Sequence, residues 1–147
     1  MNTSVAIGPL ALPGELTLPA ACVGLVLFAN GKDGGRHNPR NRGVAQALQW
    51  RRIATLQFDL TLPSETLSRV NGFDVEVLAQ RLLQALVWSR GVAEIAGLPL
   101  GIFGSSTGAA AGLMAAAQRP RDVAALVSRG GRLELAGPVL GDVRTPT

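Results

Sequence analysis

The sequence predicts an α/β fold: a mostly parallel sheet with helices on both faces, entered through a β-hairpin. Three observations carry this prediction. Residues 22–28 form a continuous apolar run of the kind buried on both faces of a parallel sheet, and residues 53–60 and 98–103 read as a second and a third strand of that sheet. Helical patterns follow these runs at residues 39–51, 74–89 and 107–118. The composition, 47% hydrophobic and 16% charged over 147 residues, suits one domain with one core and excludes a disordered chain.

Taken in order, residues 3–7 and 15–18 are short β-prone pieces separated by Gly8-Pro9 and closed by Pro19, hence the opening hairpin. Cys22 begins the first buried run and reads as a small thiol on that strand. A polar, glycine-rich loop over residues 30–38 leads to the first helix, whose Pro39 suits a first helical turn. The second buried strand, residues 53–60, ends at a loop containing Pro63 and Asn71-Gly72. In the second helix Val75, Leu78, Leu82 and Leu86 form one apolar stripe, with Asp74 as its N-cap. A third strand and a small-residue helix follow, then a fourth strand at residues 123–127 and a loop opened by Gly130-Gly131. Residues 97–117 are uncharged and long enough to span a bilayer, but Pro99, the glycines and Ser105-Ser106-Thr107 divide them into a strand and a helix.

Composition removes several function classes. One cysteine and one histidine, His37, exclude a disulfide framework and a cysteine-rich zinc module, and no metal or cofactor is expected. The net charge is +4, but aromatics are 4% and no tyrosine is present, which argues against a nucleic-acid-binding face. The uncharged N-terminus lacks the basic segment of a signal peptide, so a soluble, cytoplasmic protein without membrane association is expected.

Binding residues of parallel sheets gather at the carboxyl ends of the strands. The loop there with the most chemistry is Gly104-Ser105-Ser106-Thr107-Gly108, a G-x-S-x-G motif between a buried strand and a small-residue helix. So tight a strand-to-helix turn leaves no room for side chains two positions either side of the serine, which accounts for Gly104 and Gly108. It lifts the Ser106 hydroxyl above the sheet at a helix N-terminus, where free amides and the dipole favour developing negative charge. In such an arrangement the amide of the next residue, Thr107, and one from the loop after the first buried strand, Lys32 by position, form an oxyanion hole. Neither G-x-G-x-x-G nor G-x-x-x-x-G-K-[ST] is present, so a nucleotide-binding turn is disfavoured.

The segments Gly24-Leu25-Val26-Leu27-Phe28-Ala29-Asn30-Gly31, Arg36-His37-Asn38-Pro39-Arg40-Asn41-Arg42, Gly104-Ser105-Ser106-Thr107-Gly108-Ala109-Ala110 and Ser128-Arg129-Gly130-Gly131 together resemble the dienelactone hydrolase-like branch of the α/β-hydrolase superfamily. In particular they are similar to bacterial hydrolase domains that occur fused to a phosphoribosyltransferase. The resemblance implies a three-layer α/β-hydrolase sandwich, here lacking its last two strands and so an incomplete single domain over residues 1–147. It implies hydrolysis of an ester or lactone, with Ser106 where dienelactone hydrolases proper carry cysteine and Asn30-Gly31 where the family usually has His-Gly. Asn30, Gly31, Arg36 and His37 are then substrate-facing or loop-ordering residues, and Arg36, Arg40 and Arg42 either attract an anion or order the loop.

The family's acid and histidine follow two further strands, which would begin near Thr147. No histidine follows Ser106, and the acids that do are Asp122, Glu134 and Asp142, of which Glu134, following the fourth strand of the series, is the one stand-in considered. A serine hydroxyl without a base is a poor nucleophile. The expectation is therefore a weakly competent hydrolase, with a non-catalytic anion- or acyl-binding module as the alternative, and self-association through an exposed sheet edge.

Overall fold

The structure, a computed structural model, describes residues 1–31, 35–66 and 75–147. Among the described residues six strands form one sheet in the order β1-β2-β4-β3-β5-β6. The hairpin β1 (Asn2–Ile7) and β2 (Leu12–Thr17) is antiparallel and joins β4 (Ile53–Phe58) antiparallel through Gly14 to Thr17. From there the sheet is parallel: β3 (Gly24–Ala29) lies between β4 and β5 (Leu100–Ser105), and β6 (Ala125–Arg129) is outermost.

Among the described residues one long helix covers one face and two cover the other. On the first, α1 (Pro39–Gln49) lays Val44, Ala45 and Leu48 over Phe28 and Phe103. On the second, α3 (Val75–Arg90) and α4 (Thr107–Gln118) pack together over Leu25, Leu27, Leu56 and Ile102, with Ile7, Leu12 and Phe58 completing the main core. The alanine-rich surface of α4 allows this close approach: Ala109, Ala110, Ala111, Ala115 and Ala116 are all fully buried. This is the three-layer arrangement expected from the alternation of strands and helices.

Several boundaries differ from expectation for local reasons. Ala21 sits at φ 52, turning the chain, so the strand starts at Gly24. Cys22 is consequently in the turn rather than on the strand, half-buried, with its thiol donating to the Pro19 carbonyl at 2.8 Å. Arg52 at φ 61 ends the first helix region before β4, leaving Trp50 exposed. Within the segment read as a loop after β4, residues Pro63–Thr66 form a single turn of helix, α2. Asp74, Asn71 and Gly72 lie outside the described residues. The segment after Gly131 is not a plain loop but a 3₁₀ succession, Leu133–Asp142, packed on α4. Side chains three apart eclipse in a 3₁₀ helix, and Ala136 and Val139 use that spacing to reach the core. The outer edge of β6 is partly met by the tail, since the Leu126 amide donates to the Pro146 carbonyl at 2.9 Å and the Thr145 hydroxyl to the Val123 carbonyl at 3.2 Å.

The segment after β4 is stapled to α3 by Arg81, whose guanidinium grips both oxygens of Glu65 at 2.7 and 2.5 Å and the Leu60 carbonyl at 2.8 Å. Hydrogen bonding from Arg81 outweighs the cost of burial and holds the Glu65 carboxyl below its ordinary value of 4.5. The folded chain therefore binds fewer protons than the unfolded chain in acid. The pair's contribution is complete above the unfolded value and lost as pH falls through the lowered folded one. A Glu65→Gln variant should melt below wild type at pH 7, the gap closing as pH falls below 4.5; a pH-independent gap in melting temperature would contradict this.

Candidate active site

β5 ends at Ser105 and α4 begins at Thr107, so the whole change of direction falls on Ser106, which adopts φ 55, ψ −133. Positive φ is costly for a residue with a Cβ, about 1–3 kcal/mol, and persists only where the surroundings enforce it. Here the flanking glycines enforce it. A Cβ on Gly104 would stand 2.6 Å from the Ala109 Cα, and one on Gly108 would stand 2.0 Å from the Ala29 carbonyl oxygen. The Ser106 carbonyl accepts from the amides of Ala109 at 3.1 Å and Arg132 at 3.2 Å, which fixes the turn from both sides. Thr107, the first residue of α4, carries one of the amides that no helical carbonyl can reach. Its side chain is buried, and its hydroxyl has no hydrogen-bond partner.

The loop after β3 arrives beside this turn. A Cβ on Gly31 would meet the Thr107 Oγ1 at 2.8 Å and the Ser106 Oγ at 3.2 Å, so only glycine lets the main chain approach the serine this closely. Lys32 lies outside the described residues. Asn30 is buried and turned away from solvent, its Nδ2 donating to the Gly35 carbonyl at 2.7 Å. The loop closes in a 3₁₀ turn, Gly35–His37, where Gly35 has φ 47 and the carboxylate of Asp59 receives both the Arg36 amide, at 2.9 Å, and the Arg36 guanidinium. His37 is exposed on that turn. Of the three arginines read as an anion-attracting or loop-ordering group, Arg36 is thus tied to Asp59 and Arg42 pairs with Glu15 at 3.1 Å. Only Arg40 faces the cavity at Ser106.

That cavity has a volume of about 600 Å³ and is walled by Gly31, Arg40, Ser105, Ser106, Arg129 and Gly130, among others. Among the described residues it carries two guanidinium groups and no carboxylate. Sequence reasoning missed Arg129 as a site residue. It stands at the carboxyl end of β6, over the Phe103 ring at 5.3 Å, and donates to Asn41 Oδ1 at 2.6 Å. The signal available was its place at a parallel strand's carboxyl end. Glu134, by contrast, is exposed and engaged by Arg132 at 2.8 Å, which lowers its pKa, while Asp122 pairs with Arg119 at 2.6 Å. No acid lines the cavity, and no cluster of three metal-ligating side chains occurs among the described residues. Among them, too, no helix is long and apolar enough to cross a membrane.

No family model matches the chain. Two Mycobacterium tuberculosis proteins that carry the name of a phosphoribosyl transferase are 48% identical to it over 146 residues, covering 99% of this chain and 33% of theirs. The chain thus spans about a third of the length of these curated relatives. An α/β serine hydrolase from Xanthomonas campestris superposes with a TM-score of 0.69 at 21% identity, over 99% of this chain and 66% of that one, a likeness of fold. The crystal structure of a dienelactone hydrolase from Anabaena variabilis superposes with a TM-score of 0.92 at 42% identity, over 100% of this chain and 70% of that one. At that identity and coverage the chain belongs to the dienelactone hydrolase family, in the α/β-hydrolase superfamily.

Proposed function

We propose that the chain carries the nucleophile half of a serine hydrolase site for carboxylic esters or lactones. One observation carries this reading: Ser106 is held at positive φ between β5 and α4 and lines a cavity of about 600 Å³. Strain of this kind is common where a hydroxyl must be presented to a carbonyl carbon. In the proposed reaction Ser106 Oγ adds to the ester carbonyl, the amides of Thr107 and, by position, Lys32 hold the oxyanion, and the alcohol leaves with the serine proton. Water then cleaves the acyl-serine to the acid and regenerates Ser106.

The proton transfers need a base. His37, the sole histidine, stands on the exposed 3₁₀ turn and is absent from the cavity wall, and neither Asp122, Glu134 nor Asp142 lines it. The 147-residue chain alone is therefore a slow acyl acceptor with poor turnover. A fluorophosphonate probe, whose phosphorus is attacked by Ser106 Oγ with loss of fluoride, should label the chain slowly and once, and Ser106→Ala should not label. Intact-protein mass spectrometry reads both. Failure to label removes the nucleophile, and rapid turnover of an activated ester by wild type removes the slow-acceptor reading.

Arg40 and Arg129, two cavity cations with no carboxylate among the described residues of its wall, favour a second reading: a non-catalytic pocket for an anionic acyl ligand. Saturable binding of a short carboxylate that is unaffected by Ser106→Ala, together with absent labelling, would select it.

A further inference from the structure

The least expected polar groups in this protein are two asparagines in its interior. Asn41 is 0% exposed and Asn30 is 2% exposed. A carboxamide buried without partners costs several kcal/mol, so each must be satisfied where it lies. They satisfy one another in a single file that begins at Arg129. Arg129 Nη2 donates to Asn41 Oδ1 at 2.6 Å, Asn41 Nδ2 donates to Asn30 Oδ1, and Asn30 Nδ2 donates to the Gly35 carbonyl at 2.7 Å. The Asn41 main-chain amide is held separately, by Asn38 Oδ1 at 3.1 Å.

Every donation in this file points the same way, and its origin explains why. A guanidinium only donates, so Asn41 must turn its oxygen to Arg129 and its nitrogen to Asn30. Asn30 must then offer its oxygen to Asn41 and its nitrogen to the loop. The file links the ends of β6, α1 and β3, and its last acceptor, Gly35, closes the loop in which Gly31 lies against Ser106. Arg129 is itself steadied by the face of Phe103, two residues before Ser105 on β5.

We propose that Arg129 is a positioning residue for the loop after β3, acting through Asn41 and Asn30 to hold Gly31 against Ser106. For its effect on reactivity the proposal rests on Ser106 being the nucleophile; for its effect on the loop it does not. The loop carries the second oxyanion donor of the proposed reaction, and loss of one such donor typically slows a reaction by about a hundredfold or more. A loop set loose rather than deleted should cost roughly tenfold.

Two variants separate this role from simple bracing of β6 against α1. Arg129→Met keeps the bulk over Phe103 and removes the first donor. Asn41→Asp keeps, and strengthens, the contact with Arg129 but replaces the donor to Asn30 by a second acceptor, so the file breaks while the brace survives. Both should keep a cooperative melt, label with the fluorophosphonate about tenfold more slowly than wild type, and exchange the amides of residues 35–38 faster with deuterium. Arg129→Lys, which retains a donor at the same place, should recover part of both readouts. Wild-type exchange and labelling in Asn41→Asp would overturn the proposal. If wild type does not label at all, the nucleophile reading falls, and exchange alone decides: faster exchange in both variants upholds the file, and unchanged exchange overturns it.

Discussion

The Gly108→Ala variant is expected to accumulate as unfolded or insoluble chain without a cooperative melt, while Gly43→Ala melts slightly above wild type. Both substitutions add one methyl group to a helix, and what differs is what the methyl meets. At Gly108 it would stand 2.0 Å from the Ala29 carbonyl oxygen and 2.5 Å from the Ala29 carbon, main chain of β3 that is itself paired with β5. No rotamer change relieves such a clash; either α4 lifts from the sheet or the β3–β5 ladder opens. The cost should exceed about 4 kcal/mol, against a total of about 5–15 kcal/mol for a domain of this kind. At Gly43, on the exposed side of α1, the methyl meets nothing within 4 Å, and alanine should gain about 0.5–1 kcal/mol in a helix interior. Circular dichroism and thermal melts read both. A folded Gly108→Ala with near-wild-type stability would show that α4 does not seat on β3 as described.

The second large effect separates stability from reactivity at one residue. Ser106→Gly should raise stability by about 1 kcal/mol, because glycine adopts φ 55 freely and the strain carried by serine disappears. The same variant should lose fluorophosphonate labelling entirely. Ser106→Ala retains the Cβ and so the strain; it should label no better and melt near wild type. Denaturant midpoints of the three proteins decide: if glycine is no more stable than alanine at this position, the turn stores no strain. Proteins commonly hold such strain where function requires it, and stabilising replacements there cost activity.

Much of this architecture can be read from residue order. The run from Gly24 to Ala29 is apolar on both faces, as suits a strand with helices on either side, whereas β4 carries Ala54, Leu56 and Phe58 on one face and Thr55 and Gln57 on the other. The turn at Ser106 was legible because its demands are local: two glycines, four residues apart, between a strand and an alanine-rich helix. The parts that escaped are those whose cause lies far away in sequence. Leu133–Asp142 contains Pro138 and two glycines, which read as a loop; only its seat on α4 makes a 3₁₀ succession worthwhile. Arg129 and Asn41 stand 88 residues apart, in two separate segments of the chain, and no local pattern connects them. Arg36 and Arg42 read together with Arg40 as one basic cluster, and acids at Asp59 and Glu15, brought up by β4 and β2, divided it. Burial of polar groups depends on topology, and periodicity does not report it.

The pairing of β3 with β5 has a consequence for the order in which the protein forms. Leu25 meets Leu100 across that ladder, about 75 residues apart, whereas β1–β2 and β3–α1–β4 close over short stretches of chain. Closing a long loop costs entropy that near-neighbour contacts avoid, and topologies rich in distant pairings fold slowly. The hairpin and the β3–α1–β4 unit can therefore assemble while the chain beyond them is still searching. The turn at Ser106 cannot, since Gly108 finds its place only on the finished edge of β3. The reactivity proposed for Ser106 is then expected only of chains that have closed the β3–β5 ladder.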